Sequence, residues 1–281
     1  MEKLNLKFSD SNLDEIVLTI KNNPLGKQVI DKLQLTDEQI KNNYELINNF
    51  LANNQSCINC KGMKNCNHYT KGHRYGLKKD DDGDLTDYFT ICDYYKDYYI
   101  RKNNLIYTTF NQDNILDESQ KRFILDNPQL LGLEYIKKII QIQNGDNVSG
   151  VYLKVSNSKI RLKLIQSLAY NLLLNHKVSI VKFSDLLKNI KSEFKSFGSD
   201  TYNLLLESEI LIIDGLGNES ITSWSRDEIL LSLLDNRLQN DKVTILCSEF
   251  NIDDLKKIYK ISYNDEVKAN QLVEKIIDIN S

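Results

Sequence analysis

Four of the chain's five cysteines fall in one stretch: Cys57 and Cys60 at x2 spacing, then Cys66, then Cys92. A Cys-x2-Cys pair lets two thiolates grip one metal ion from a single tight turn, and zinc takes four such ligands in a tetrahedron. Cys66 follows Cys60 closely, and Cys92 returns from farther along the chain to close the shell. A closed shell of this kind contributes folding energy rather than catalysis. Asn59, Gly62, Asn65 and Asn67 supply the glycine- and asparagine-rich surroundings of a ligand knuckle. His68 and His73 lie between Cys66 and Cys92, so six side chains compete for four places. The expected zinc ligands are Cys57, Cys60, Cys66 and Cys92, and His73 in place of Cys66 is the alternative set. No hydrophobic signal segment opens the sequence, so a reducing, cytoplasmic compartment is expected, where such spacings mean metal rather than disulfide.

A second constellation sits where nucleotide chemistry would be written. Gly150–Val155 reads as a strand that leads through Lys159 and Arg161 into a helix over Leu162–Asn175, and Ile210–Ile213 is an apolar strand ending at Asp214. Strand, loop and helix followed by an apolar strand capped with Asp form the skeleton of a P-loop NTPase. A working phosphate loop reads G-x4-G-K-[S/T]: glycines turn backbone amides onto the phosphates, Lys reaches their oxygens and the hydroxyl holds Mg²⁺. Here Val155 and Ile160 replace the glycines, Arg161 replaces the Lys, and Leu162 stands where the hydroxyl should be. Leu162 cannot ligate magnesium, and the planar fork of Arg161 is not interchangeable with a lysine ammonium. Gly215 occupies the place of a second acid beside Asp214. Lys159, Arg161 and Asp214 are therefore expected to mark a vestigial nucleotide site, with ATP and Mg²⁺ binding in doubt and no catalytic residue assigned. The cations Lys154, Lys159, Arg161 and Lys163 form a basic cluster on this loop, read as a solvated face or as a phosphate or single-strand contact.

The elements that must position these residues fall into two patterns. Up to about residue 52 the chain looks helical, with Thr36 as an N-cap ahead of Ile40, Leu46, Ile47, Phe50 and Leu51. The aromatic run Tyr94-Tyr95-x2-Tyr98-Tyr99 reads as packing around a small metal domain, with partner docking as the alternative. A polar stretch from Asn103 marks a boundary. Beyond it Val178–Phe183, Ile210–Ile213 and Lys242–Leu246 alternate with helical stretches, one of them over Trp224–Arg237, which predicts a parallel sheet covered on both faces. The expected organisation is a small, mainly helical zinc-binding domain over residues 1–105, a linker over 106–127, and an α/β P-loop-like domain over 128–281.

Composition limits the partners. The 281 residues carry a net charge of −3, and no window approaches the ~18 apolar residues of a membrane span. Proteins that neutralise many duplex phosphates show a basic face, so a protein partner, or a single strand gripped by a few cations, is the expectation.

Taken together, these residues resemble the DnaI-type primosomal proteins, the bacterial loaders of the replicative helicase. The resemblance rests on Cys57-x2-Cys60-Lys-Gly62-x3-Cys66-Asn67-x4-Gly72 with Cys92 downstream, on Gly150–Leu153, and on Ile210–Gly217 followed by Ser223-Trp224-Ser-Arg226-Asp227-Glu228. Lys268–Ile276 is similar to the family's closing helix. The resemblance implies an N-terminal zinc-containing, helicase-interacting domain and a C-terminal AAA+ ATPase domain, with the replicative DNA helicase as partner and single-stranded DNA or other primosome proteins as further ones. The departures are systematic: besides the phosphate loop and Gly215, Glu249 replaces a sensor-like Asn, and Gln271 stands where a basic finger would be. They imply an AAA+ fold that has lost ATP hydrolysis.

Overall fold

The computed structural model describes residues 10–194, 200–262 and 265–281. The chain divides after Tyr98 into two compact units. The helical reading of residues 1–9 lies outside the described residues.

In the first unit four helices, α1 (Asp10–Asn22), α2 (Pro24–Leu33), α3 (Asp37–Asn42) and α4 (Tyr44–Asn54), precede an antiparallel hairpin of β1 (His73–Lys79) and β2 (Leu85–Ile91). Local chemistry sets the helix starts. Asn23 caps α2 ahead of Pro24, whose missing N–H costs nothing at a first helical position. Thr36 and Gln39 form a reciprocal capping box on α3, as the Thr36 reading predicts. Val17, Ile20, Val29, Ile40, Ile47 and Leu77 close the core, so the hairpin belongs to it through Leu77. This hairpin is the unit's departure from the mainly helical expectation. Helix α5 (Asp93–Asn104) follows Cys92 and carries the aromatic run.

The second unit contains a five-stranded, all-parallel sheet of order β3-β5-β6-β7-β4, with β3 at Leu105–Thr108, β4 at Gly150–Lys154, β5 at Val178–Lys182, β6 at Ile210–Asp214 and β7 at Val243–Ser248. Every residue of β6 is buried, as expected of a strand with helices on both faces. Helices α6 (Gln112–Ile115), α7 (Phe123–Asp126), α8 (Leu133–Asn144), α9 (Ser158–Leu172), α10 (Phe183–Phe194), α11 (Asp200–Glu207), α12 (Ser232–Gln239), α13 (Ile252–Tyr259) and α14 (Glu266–Asn280) complete the unit. Helix α12 is entered through a π-helical segment, Trp224–Leu231.

The expected linker over 106–127 is corrected by this topology. Residues 105–108 form the edge strand β3, paired with β5, and the carbonyl of Gln120 accepts the hydroxyl of Ser167 on α9 at 2.6 Å. The segment is polar in sequence because it packs along an edge, not because it is free of the fold.

Candidate nucleotide and metal sites

The carboxyl ends of β4, β6 and β7 are where a parallel sheet receives its ligands. Only Val155, Ser156 and Asn157 separate β4 from α9. That is too short a turn to wrap a phosphate in amides, and its first amide is engaged. Val155 N donates to Ser248 O at 2.8 Å. The Asn157 side chain accepts the N–H groups of Lys159 and Ile160 at 3.0 and 3.1 Å, satisfying the helix terminus that would otherwise attract an anion.

Arg161 and Asp214 are brought together. Arg161 Nε donates to Asp214 Oδ1 at 2.6 Å, and Nη1 donates to the Val155 carbonyl at 2.9 Å. The residues are only 5% and 6% exposed. The cation in the lysine position thus turns back onto the fold and neutralises the acid that would hold magnesium. Burial pushes the Asp214 carboxyl above the ordinary carboxylate range, and Arg161 opposes that rise. Lys159 is not part of the pair: its side chain is exposed. Lys163 lies 5.9 Å above the Phe123 ring, so the basic cluster read from sequence is split. Gly215 has φ +79°, a conformation that disfavours any acid with a Cβ. These residues do not fit a bound Mg²⁺–ATP.

Arg226, from the Trp-x-Arg-Asp-Glu segment, is 1% exposed and pairs with Asp227 and Asp265, while its Nη1 donates to Tyr259 O at 2.9 Å. It clamps the π-helical segment to the entry of α14. Sequence reasoning passed over Glu219, whose Oε1 accepts the Tyr259 hydroxyl at 2.7 Å and whose Oε2 accepts Gly217 N at 2.9 Å. Burial raises its carboxyl above the ordinary range. Glu219 pins the turn after Asp214, and its only sequence signal was its place behind two glycines.

In the first unit the cysteines are held by short turns. Cys60 N donates to Cys57 O at 3.4 Å, and Cys66 closes a 3-10 turn over Met63–Asn65. Gly72 ties the distant segments: its N–H points to Cys66 Sγ at 3.4 Å, and its carbonyl accepts Cys92 N at 2.8 Å. Its φ is +78°, and a Cβ there would meet the Tyr95 ring at 2.3 Å. Tyr95 N donates to Cys92 Sγ at 3.4 Å. Amides directed at sulfur are the contacts that orient thiolate ligands. Burial raises the Cys57 thiol, the neighbouring Cys60 raises it further, and Arg74 opposes them. Among the described residues no group of three or more Cys, His, Asp or Glu stands at ligating geometry for a metal. Four cysteines, with amides aimed at two of their sulfurs, are nevertheless residue types that suit zinc. The histidine in contact with a thiol is His68, whose Nε2 lies 2.9 Å from Cys57 Sγ. His73 instead meets the Lys71 carbonyl at 3.2 Å and packs on Tyr95 with ring centroids 5.5 Å apart. Two of the four tyrosines meet the cysteine turns, Tyr95 through Cys92 and Gly72 and Tyr94 by donating to Cys60 O at 3.4 Å.

No helix among the described residues is long and apolar enough to cross a membrane. No family model matches the chain. The chain is 22% identical over 263 residues to the replicative helicase loader DnaI of Bacillus subtilis (strain 168), covering 90% of this chain and 82% of that protein. Its fold is similar to a crystal structure of DnaI (TM-score 0.52, 20% identity, 62% of this chain and 94% of that one). It is also similar to a structure assigned as a primosome component from Streptococcus pyogenes serotype M3 (TM-score 0.50, 15% identity, 65% and 92%). With the cysteine turns of the first unit and the Asp-capped strand of the second, the chain resembles a DnaI-type helicase loader along nearly its whole length.

Proposed function

We propose that this protein is a helicase-loading adaptor in the initiation or restart of DNA replication, binding the replicative helicase through its first unit and working without its own cycle of ATP hydrolysis. The loader reading is supported by the similarity along nine-tenths of the chain to a protein of that role. The observation that carries the loss of hydrolysis is the Arg161–Asp214 pair at 2.6 Å. It joins the two positions a nucleotide and its magnesium would need, where Val155 N is engaged by Ser248 O and the first amides of α9 by the Asn157 side chain. The second unit then supplies shape and partner contacts on the AAA+ plan. Single-stranded DNA and other primosome proteins are secondary partners, with exposed Lys154 and Lys159 available to a phosphate backbone. The reading goes with a cytoplasmic protein.

Zinc held by Cys57, Cys60, Cys66 and Cys92 is part of the same proposal, with His73 in place of Cys66 as the alternative. A bound zinc would cross-link the turns before β1 to the start of α5 and contribute folding energy. Support comes from the Cys57–Cys60 turn, from Gly72, which ties the Cys66 and Cys92 segments, and from the amides of Gly72 and Tyr95 aimed at Cys66 and Cys92.

The test is co-purification of the full chain with its replicative helicase, with and without Mg²⁺–ATP, alongside steady-state phosphate release. A complex that forms equally in both conditions, with no turnover assignable to this chain, is expected. Turnover abolished by Asp214→Asn would sink the proposal.

A further inference from the structure

A groove of about 490 Å³ opens in the first unit between α2, the end of α4 and the hairpin. Its walls are apolar, with Leu25, Leu33, Phe50 and Tyr88 among them, and no Asp or Glu lines it in a chain that carries 39 acidic residues. Two cations stand in the lining, Lys32 on α2 and Arg74 on β1, and neither has an ion-pair partner among the described residues. Asn54, 4% exposed, also lines the groove. Its Nδ2 donates to the Phe50 and Tyr75 carbonyls at 2.9 and 2.8 Å, which fixes the amide and leaves Oδ1 buried without a partner. A buried acceptor left unpaired costs free energy that an incoming donor would recover.

The apolar surface does not stop at the cleft. Ile58 and Tyr88 on its rim are 42% and 37% exposed. A small ligand would be enclosed by its cleft and would leave such a rim wet. A partner that also covers the rim must be larger. A nucleic-acid backbone would meet two cations among apolar walls, too few charges for the phosphate-dominated binding that class requires.

We infer that this groove docks a peptide segment of a protein partner, one that presents large apolar side chains at helical spacing next to acidic residues. The apolar side chains fill the cleft between Leu25, Leu33 and Phe50, and the acids meet Lys32 and Arg74. The inference deepens the loader reading and rests on it for the identity of the partner: the segment belongs to the replicative helicase.

Two measurements separate the groove from that reading. The first is calorimetric affinity of the full chain for the helicase, comparing Lys32→Glu, Lys32→Arg and, as a control on the second unit, Lys137→Glu. The second is fluorescence polarisation of a labelled 16-residue amphipathic peptide with Leu on one face and Glu beside it, against the same peptide with Lys for Glu. Lys32→Glu should weaken both helicase and Glu-peptide binding about tenfold or more, while Lys32→Arg and Lys137→Glu leave them near wild type. Undiminished helicase binding by Lys32→Glu overturns the inference, as does equal binding of the Lys peptide. Loss of oligonucleotide binding in Lys32→Glu with helicase binding intact overturns it in favour of nucleic acid. If the unaltered chain ignores the helicase yet binds the Glu peptide in a Lys32-dependent way, the loader reading falls and the groove stands.

Discussion

Removing Arg161 should expose how far the second unit depends on the Arg161–Asp214 pair. Arg161→Ala leaves Asp214 buried, 6% exposed, with its closest cation gone. Breaking a buried ion pair from one side costs about 3–5 kcal/mol, because the surviving charge is left uncompensated. For a unit of this size each kcal/mol moves the melting temperature by ~2–4 °C, so a fall of about 6–20 °C is expected. The pH dependence has a definite sign. Burial already raises the Asp214 carboxyl above its ordinary value, and Arg161 opposes that rise, so the variant's carboxyl goes higher still. Between the ordinary and the raised value the native state keeps a proton that the unfolded chain has released, and stability falls as pH rises. The cost of Arg161→Ala should therefore be larger at pH 7 than at pH 5. The double replacement Arg161→Met/Asp214→Leu removes both charges and should recover most of the loss. Urea unfolding of the unaltered chain and the two variants at two pH values reads the cost and its recovery. A cost below about 1 kcal/mol, or the same cost at pH 5 and pH 7, would show that the pair does not bind the site together.

Other outcomes follow from the same geometry. Asn157→Ala should destabilise the second unit by about 1 kcal/mol, since two N–H groups of α9 lose their acceptor; denaturant unfolding reads it. Gly72→Ala should lower the melting temperature of the first unit and its metal content together, because a Cβ at φ +78° meets the Tyr95 ring and displaces the tie between Cys66 and Cys92. Chelation should melt the first unit while the second keeps its own transition in calorimetry, and equal melting with and without chelator would contradict a structural metal. Arg226→Ala should lower the melting temperature of the second unit, because Asp227, Asp265 and the Tyr259 carbonyl lose their shared donor, an effect that thermal unfolding reads without reference to any partner.

The parts of the fold that were legible carry their signal within a few residues. The runs at β4, β5, β6 and β7 are apolar over most of their length because helices cover both faces, and the Thr36 cap announces α3 with its own side chain. Strand β3 is four half-buried residues at a sheet edge, too short to show a period against its polar flanks. The hairpin was hidden by charge: Lys78, Lys79 and Asp87 sit on its strands, although Asp80–Gly83 is a turn signal in plain view. The candidate site was half legible. That Arg161 keeps a charge where a lysine belongs can be read locally, but its partner is 53 positions away on another strand, and only the fold places Asp214 within its reach. Arg226 stood in the sequence only as part of a resemblance, and the fold alone shows it to be a buried clamp.

The claim that the second unit has closed its nucleotide site is tested most directly by titrating Mg²⁺–ATP onto the full chain in a calorimeter. The Arg161–Asp214 pair and the Asn157-capped start of α9 predict no saturable heat at millimolar nucleotide. Saturable binding that Asp214→Asn abolishes would contradict the account.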